Sequence, residues 1–81
     1  MTVHEIRIPK LGMETIDCEI KAWIVNAGDR VTPGSELLEV ETEKADVVIE
    51  AEVGGVVREI HAAAGQRVEV GAVVGLIEVA G

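Results

Sequence analysis

Few residues in this chain could do chemistry, and the most conspicuous is one amine in acidic surroundings. The run Glu39-Val40-Glu41-Thr42-Glu43-Lys44-Ala45-Asp46-Val47-Val48-Ile49-Glu50 holds five acids and a single base. Carboxylates stabilise an ammonium ion, the opposite of what a Schiff-base or general-base lysine requires. A lysine of this kind is suited to being acylated by a second protein that brings an activated acid to it. From spacing alone it also reads as an ordinary solvated lysine that screens its acidic neighbours. Other chemistry lacks raw material. His4 and His61 are the only histidines, Ser35 is the only serine and Cys18 is the only cysteine. That set offers no Ser/His/Asp or Cys/His nucleophile pattern and no closely spaced ligand pair of the zinc type. The glycines form neither GxGxxG nor GxxxxGKS/T, so Gly54-Gly55 reads as a turn rather than a phosphate cradle.

The elements that must position Lys44 are strands. Val, Ile and Thr number 14, 8 and 4 among 81 residues, with one Trp and no Phe or Tyr. β-branched side chains are stiff and pack well on pleated surfaces, so the composition predicts an all-β domain with an aliphatic core. At 8.6 kDa there is room for one domain, residues 1–81, and none for a substrate domain or lid. A lone Cys18 cannot form an internal disulfide and reads as a small buried hydrophobe.

The chain also repeats itself. An offset of 37 aligns Ala27-Gly28-Asp29-Arg30-Val31 with Ala64-Gly65-Gln66-Arg67-Val68, and Gly34 with Gly71. The match continues through Leu37/Val74 and Val40/Ile77, and backwards through Ile20/Val57, Lys21/Arg58 and Trp23/Ile60. Two similar halves related by a pseudo-two-fold axis follow, with turns at Asn26 to Asp29, at Ala63 to Gln66, and ending at Gly34 and Gly71. Apolar alternation breaks at Ile20, Trp23, Val25 and again at Val57, Ile60, Ala62, which predicts a bulge in both halves. Trp23 aligns with plain Ile60 and so reads as packing rather than as a binding platform. Further strands are expected at Val3 to Ile8, Ser35 to Thr42, Ala45 to Ala51 and Val73 to Val79, eight in all, in two four-stranded antiparallel sheets. Glu43-Lys44-Ala45 then falls at a hairpin tip. The counterpart of Lys44 is Gly81, so the lysine belongs to one half only. The loop Pro9-Lys10-Leu11-Gly12-Met13-Glu14 places Leu11 and Met13 where a polar loop is expected, either tucked under the barrel edge or facing a partner.

Charge narrows the partners. A net charge of −8 repels nucleic-acid phosphates and anionic lipid headgroups. No apolar run approaches the ~20 residues of a spanning helix, and the first residues lack signal-peptide character. The chain reads as cytosolic, or as a mature organellar protein whose transit segment is missing.

Taken together, Glu41-Thr42-Glu43-Lys44-Ala45, Ile8-Pro9-Lys10-Leu11-Gly12-Met13, the Gly28-Asp29-Arg30-Val31 turn and the Gly54-Gly55-Val56-Val57 turn resemble the lipoyl domain of 2-oxoacid dehydrogenase complexes. The resemblance implies a flattened β-barrel or sandwich with lipoic acid in amide linkage to Lys44. It departs from the family at Glu43, where Asp usually precedes the modified lysine. Related biotinyl domains place Met on both sides of the lysine, and here the flanks are Glu43 and Ala45. The resemblance implies that Glu43 and Ala45 help a lipoate ligase or lipoyl transferase find Lys44, while Glu41 and Thr42 set the hairpin geometry. It also implies that Leu11, Gly12, Met13 and Glu14 contact a thiamine-diphosphate 2-oxoacid decarboxylase. The remaining implied partners are an acyltransferase core and a flavin dihydrolipoamide dehydrogenase. The domain would catalyse none of the steps and would sit at the N-terminus of a longer acyltransferase chain. Two other readings stay open: a free-standing lipoyl carrier, and an unmodified interaction domain of the same fold.

Overall fold

A computed structural model describes residues 2–13 and 15–79. Its elements are β1 (Thr2–Arg7), β2 (Asp17–Trp23), β3 (Arg30–Val31), β4 (Glu36–Glu41), β5 (Asp46–Glu50), β6 (Gly55–Ile60), β7 (Arg67–Glu69) and β8 (Val73–Val79). They form two four-stranded sheets, ordered β1-β8-β6-β3 and β5-β4-β2-β7, and every strand pairing is antiparallel. Among the described residues no strand ladder joins the sheets, so the architecture is a sandwich rather than a closed barrel.

The offset of 37 seen in the sequence is the symmetry of the fold. It carries β2, β3 and β4 onto β6, β7 and β8, and the edge strand β5 takes the place of β1 in the other sheet. Both predicted bulges are present: register shifts between Ile20 and Ala22 against β4, and between Val57 and Glu59 against β8. The shift turns Trp23 toward the interior, where it is half-buried and its indole N–H donates to the Ala62 carbonyl at 2.7 Å. Gly28 and Gly65 supply the positive φ, 97° and 90°, that closes the matching turns Asn26 to Asp29 and Ala63 to Gln66.

The core between the sheets is aliphatic. Ile20, Leu38, Val40, Val57, Val74 and Ile77 are fully buried, contributed by the facing sides of both sheets. Burying each such side chain stabilises by about 1.5–3 kcal/mol relative to exposure. Among the described residues no polar or charged residue is buried, which spares the domain the cost of unpaired interior charge. Cys18 sits in this layer with no exposure, as expected for a small hydrophobe.

Gly55 is required for a different reason from the turn glycines. A Cβ there would collide with the Glu78 carbonyl oxygen on β8, whereas at Gly54 the nearest atoms lie at 3.5 Å, an ordinary contact. Gly55→Ala is therefore expected to cost about 1–3 kcal/mol by overpacking. Gly54→Ala should stay within about 0.5 kcal/mol. Thermal melts of the two variants, read side by side, check this; equal melting temperatures would contradict the close approach.

Candidate functional site

Lys44 stands at the apex of the β4–β5 hairpin, where Glu41 pairs with Asp46 and the four residues between them make the tip. Two-residue hairpin loops usually rely on positive φ at a central position, supplied by Gly or Asn. Among the described residues only glycines have positive φ, so neither Glu43 nor Lys44 does. Thr42 provides the alternative. Its hydroxyl accepts from the Lys44 N–H at 3.2 Å and the Ala45 N–H at 3.1 Å, and donates to the Ala45 carbonyl at 3.0 Å. The Thr42 N–H also donates to that carbonyl, at 2.9 Å. A side-chain oxygen thus replaces the backbone acceptor of an ordinary turn. Glu41, Glu43, Lys44 and Ala45 are all exposed around a half-buried Thr42.

The loop before β2 lies beside this tip. Leu11, Gly12, Met13 and Thr15 face Thr42, Lys44, Ala45 and Val47 across one open groove. Segments about 30 residues apart in the chain are thereby brought together at one end of the sandwich. Leu11 and Met13, treated alike in the sequence, behave differently. Leu11 packs against the core, while Met13 is 94% exposed. Glu14 lies outside the described residues, as does Gly81. On the other flank of Thr42 a polar hollow is lined by Thr15, Ile16, Asp17, Glu19, Glu41, Glu43 and Arg67. Sequence reasoning stopped the loop at Glu14 and so missed Thr15 and Ile16; the signal available was an isoleucine beside Asp17 that fits no inward position, and it is 75% exposed.

The three lysines differ in their surroundings. Lys10 is exposed in the loop, and Lys21 on β2 donates to Asp46 Oδ2 at 2.8 Å. The hydrogen bond and charge of Asp46 hold the Lys21 ammonium above the ordinary lysine range, with desolvation opposing and Glu39 and Glu41 adding less. Among the described residues no group of three or more His, Cys, Asp and Glu side chains is arranged to hold a metal ion. His61 pairs instead with Glu59 at 2.9 Å. Burial pushes the Cys18 thiol up, Asp17 pushes it the same way and Arg67 opposes.

Lys44 is thus an exposed amine at the apex of a hairpin on a small two-sheet frame. The family model described as "biotin-requiring enzyme", for biotin and lipoyl attachment, matches residues 4–77, and the chain belongs to that family. Its relatives place it on the lipoyl side, as a lipoyl carrier domain. It is 38% identical over 73 residues to the dihydrolipoyllysine-residue succinyltransferase component of the 2-oxoglutarate dehydrogenase complex of Bacillus subtilis, covering 90% of this chain and 18% of that protein. It is 32% identical over 75 residues to the dihydrolipoyllysine-residue acetyltransferase component of the acetoin cleaving system of Pseudomonas putida, covering 93% and 20%. The solution structure of the lipoyl domain of the 2-oxoglutarate dehydrogenase complex from Azotobacter vinelandii superposes with a TM-score of 0.74 at 27% identity, covering 94% of this chain and 98% of that one. The chain therefore matches a whole lipoyl domain but only about a fifth of the length of these two acyltransferase relatives.

Two outcomes check this geometry. Thr42→Val keeps the shape but removes the acceptor of two tip amides, and should cost about 1–2 kcal/mol with faster hydrogen exchange at Ala45. Unchanged exchange would show that the hydroxyl is dispensable. Cys18 should resist a thiol reagent such as DTNB in the native protein and react fully in denaturant, as a thiol both buried and disfavoured as thiolate does. Rapid native labelling would contradict its packing.

Proposed function

We propose that Lys44 carries lipoic acid in amide linkage to Nζ and that the domain ferries acyl groups between the enzymes of a 2-oxoacid or acetoin dehydrogenase complex. The observation that carries this reading is the exposed Lys44 held at the Thr42-stapled tip. The site suits the group: Lys44 is exposed at the edge of an open groove, which lets a ligase reach Nζ and leaves a long arm free to move. Once bound, lipoic acid supplies a dithiolane that takes up an acyl group and two electrons.

The chain's own residues then divide the work. Lys44 provides the attachment nitrogen and gives up its charge when the amide forms. Thr42 fixes the apex, and Glu43 and Ala45 flank the target for a lipoate ligase or lipoyl transferase, with Glu41 at the hairpin shoulder. Leu11, Gly12, Met13 and Glu14 form the contact for a thiamine-diphosphate 2-oxoacid decarboxylase, in which exposed Met13 is the apolar anchor. The remaining partners in this reading are an acyltransferase core and a dihydrolipoamide dehydrogenase. Tethering raises the effective concentration of the arm at each active site, which is the contribution a non-catalytic carrier makes. The parent protein in this reading is a longer dihydrolipoamide acyltransferase with this domain at its N-terminus, in the bacterial cytoplasm or the mitochondrial matrix.

Intact mass after co-expression with a lipoate ligase and lipoate should show one lipoyl addition, lost in Lys44→Arg. Lys44→Ala should also abolish it while changing stability by no more than ~0.5 kcal/mol, as befits an exposed tip. Modification surviving in Lys44→Arg would refute the assignment.

A further inference from the structure

The two sheets differ in charge far more than the internal repeat suggests. Strands of the sheet β1-β8-β6-β3 carry three acids and three bases. Strands of the sheet β5-β4-β2-β7 carry eight acids and only two bases, Lys21 and Arg67. At the hairpin shoulder the acids stand side by side, because Glu19 pairs with Glu41 and Glu41 pairs with Asp46 across β2, β4 and β5. Like charges directly opposite one another destabilise a ladder. The row nevertheless lies immediately below the tip that must hold its shape.

Lys21 answers it. The β2 bulge leaves Lys21 and Ala22 both exposed, between inward-facing Ile20 and Trp23. From there the ammonium reaches over β4 to Asp46 Oδ2 at 2.8 Å. Strands β2 and β5 are not neighbours, so this contact ties the edge strand to the middle of the sheet across an intervening strand. Asp46 is the first residue of β5, two positions after Lys44. The symmetry mate does nothing comparable, since Arg58 pairs with Glu78 on the adjacent strand β8.

We propose that Lys21 is a positioning residue for the modification of Lys44: by pairing with Asp46 across β4 it holds the hairpin tip in the conformation that the modifying ligase recognises. This rests on the lipoyl assignment of Lys44 and adds a residue 23 positions away in the chain. The pair is exposed, so its role is to narrow the range of tip conformations rather than to hold the fold together.

The test compares Lys21→Met, Lys21→Arg, Asp46→Asn and the Lys21→Met/Asp46→Asn double variant with the unaltered domain and with Lys44→Arg. Lipoylation is followed by intact mass at varied domain concentration, alongside melting temperature and hydrogen exchange at Lys44 and Ala45. The expected result for Lys21→Met is a two- to fivefold loss of kcat/KM, about what one exposed pair supports, with faster exchange at the tip amides and a nearly unchanged melt. Lys21→Arg should restore the rate, and the double variant should be no slower than either single one. A normal rate and normal exchange in Lys21→Met would overturn the proposal, as would losses that multiply in the double variant. Failure of the unaltered domain to be modified would instead sink the lipoyl assignment, while the exchange measurement would still report on the clamp.

Discussion

The frame depends on a reciprocal backbone contact between its two halves. Ile20 donates to the Gln66 carbonyl and accepts from the Gly65 N–H, while Val57 donates to the Asp29 carbonyl and accepts from the Gly28 N–H. All four bonds fall between 2.7 and 2.9 Å. Each half thus seats its glycine turn on the inner strand of the other, at the residue before that strand's bulge. A glycine is needed because the turn has positive φ at this point, and in both strands the bulge begins at the residue that receives the turn. Neither half can satisfy its inner strand alone. Each sheet consequently contains strands from both repeats.

How much of this could be read from the sequence follows from the range of each interaction. The turns, bulges and register-bearing apolar pairs were legible because symmetry states each of them twice, and a signal seen in both halves outweighs local noise. The expected strands at Val3 to Ile8, Ser35 to Thr42 and Ala45 to Ala51 lie within one residue of the observed ends, and Val73 to Val79 coincides. The short strands β3 and β7, of two and three residues, follow from their turns rather than from periodicity, since such runs are too short to show any. The two leucine-like positions of the first loop were not separable. Leu11 and Met13 have similar hydrophobicity, and only the path of the loop decides that one points under the sheet and the other into solvent.

At the site, the presence of Lys44 at a tip was legible from the meeting of two strand-like runs, but the means of holding it was not. A hairpin without Gly or Asn at its centre looks unfavourable by turn chemistry. The Thr42 hydroxyl resolves that by serving three partners at once, a role that depends on its rotamer and not on its residue type alone. The contact of Lys21 with Asp46 was further out of reach, because it spans a strand and has no counterpart in the other repeat to reveal it.

The same symmetry explains why the frame has one hairpin tip of this kind and not two. The operation that places β4 on β8 and β5 on β1 turns the β4–β5 hairpin into the β8–β1 pair, whose register matches it: Val40 opposite Val47 corresponds to Ile77 opposite His4, and Leu38 opposite Ile49 to Gly75 opposite Ile6. Among the described residues β8 and β1 are not consecutive in the chain, so no hairpin turn joins them. Among the described residues β4–β5 is therefore the one pair of consecutive strands that are neighbours within a sheet. Both halves contribute to the frame, and the tip lies where β4 doubles back into β5. A fold built in this way separates the task of staying folded, which the aliphatic interior and crossed turns perform, from the task of offering an amine, which falls to a tip whose exposed residues contribute little to stability.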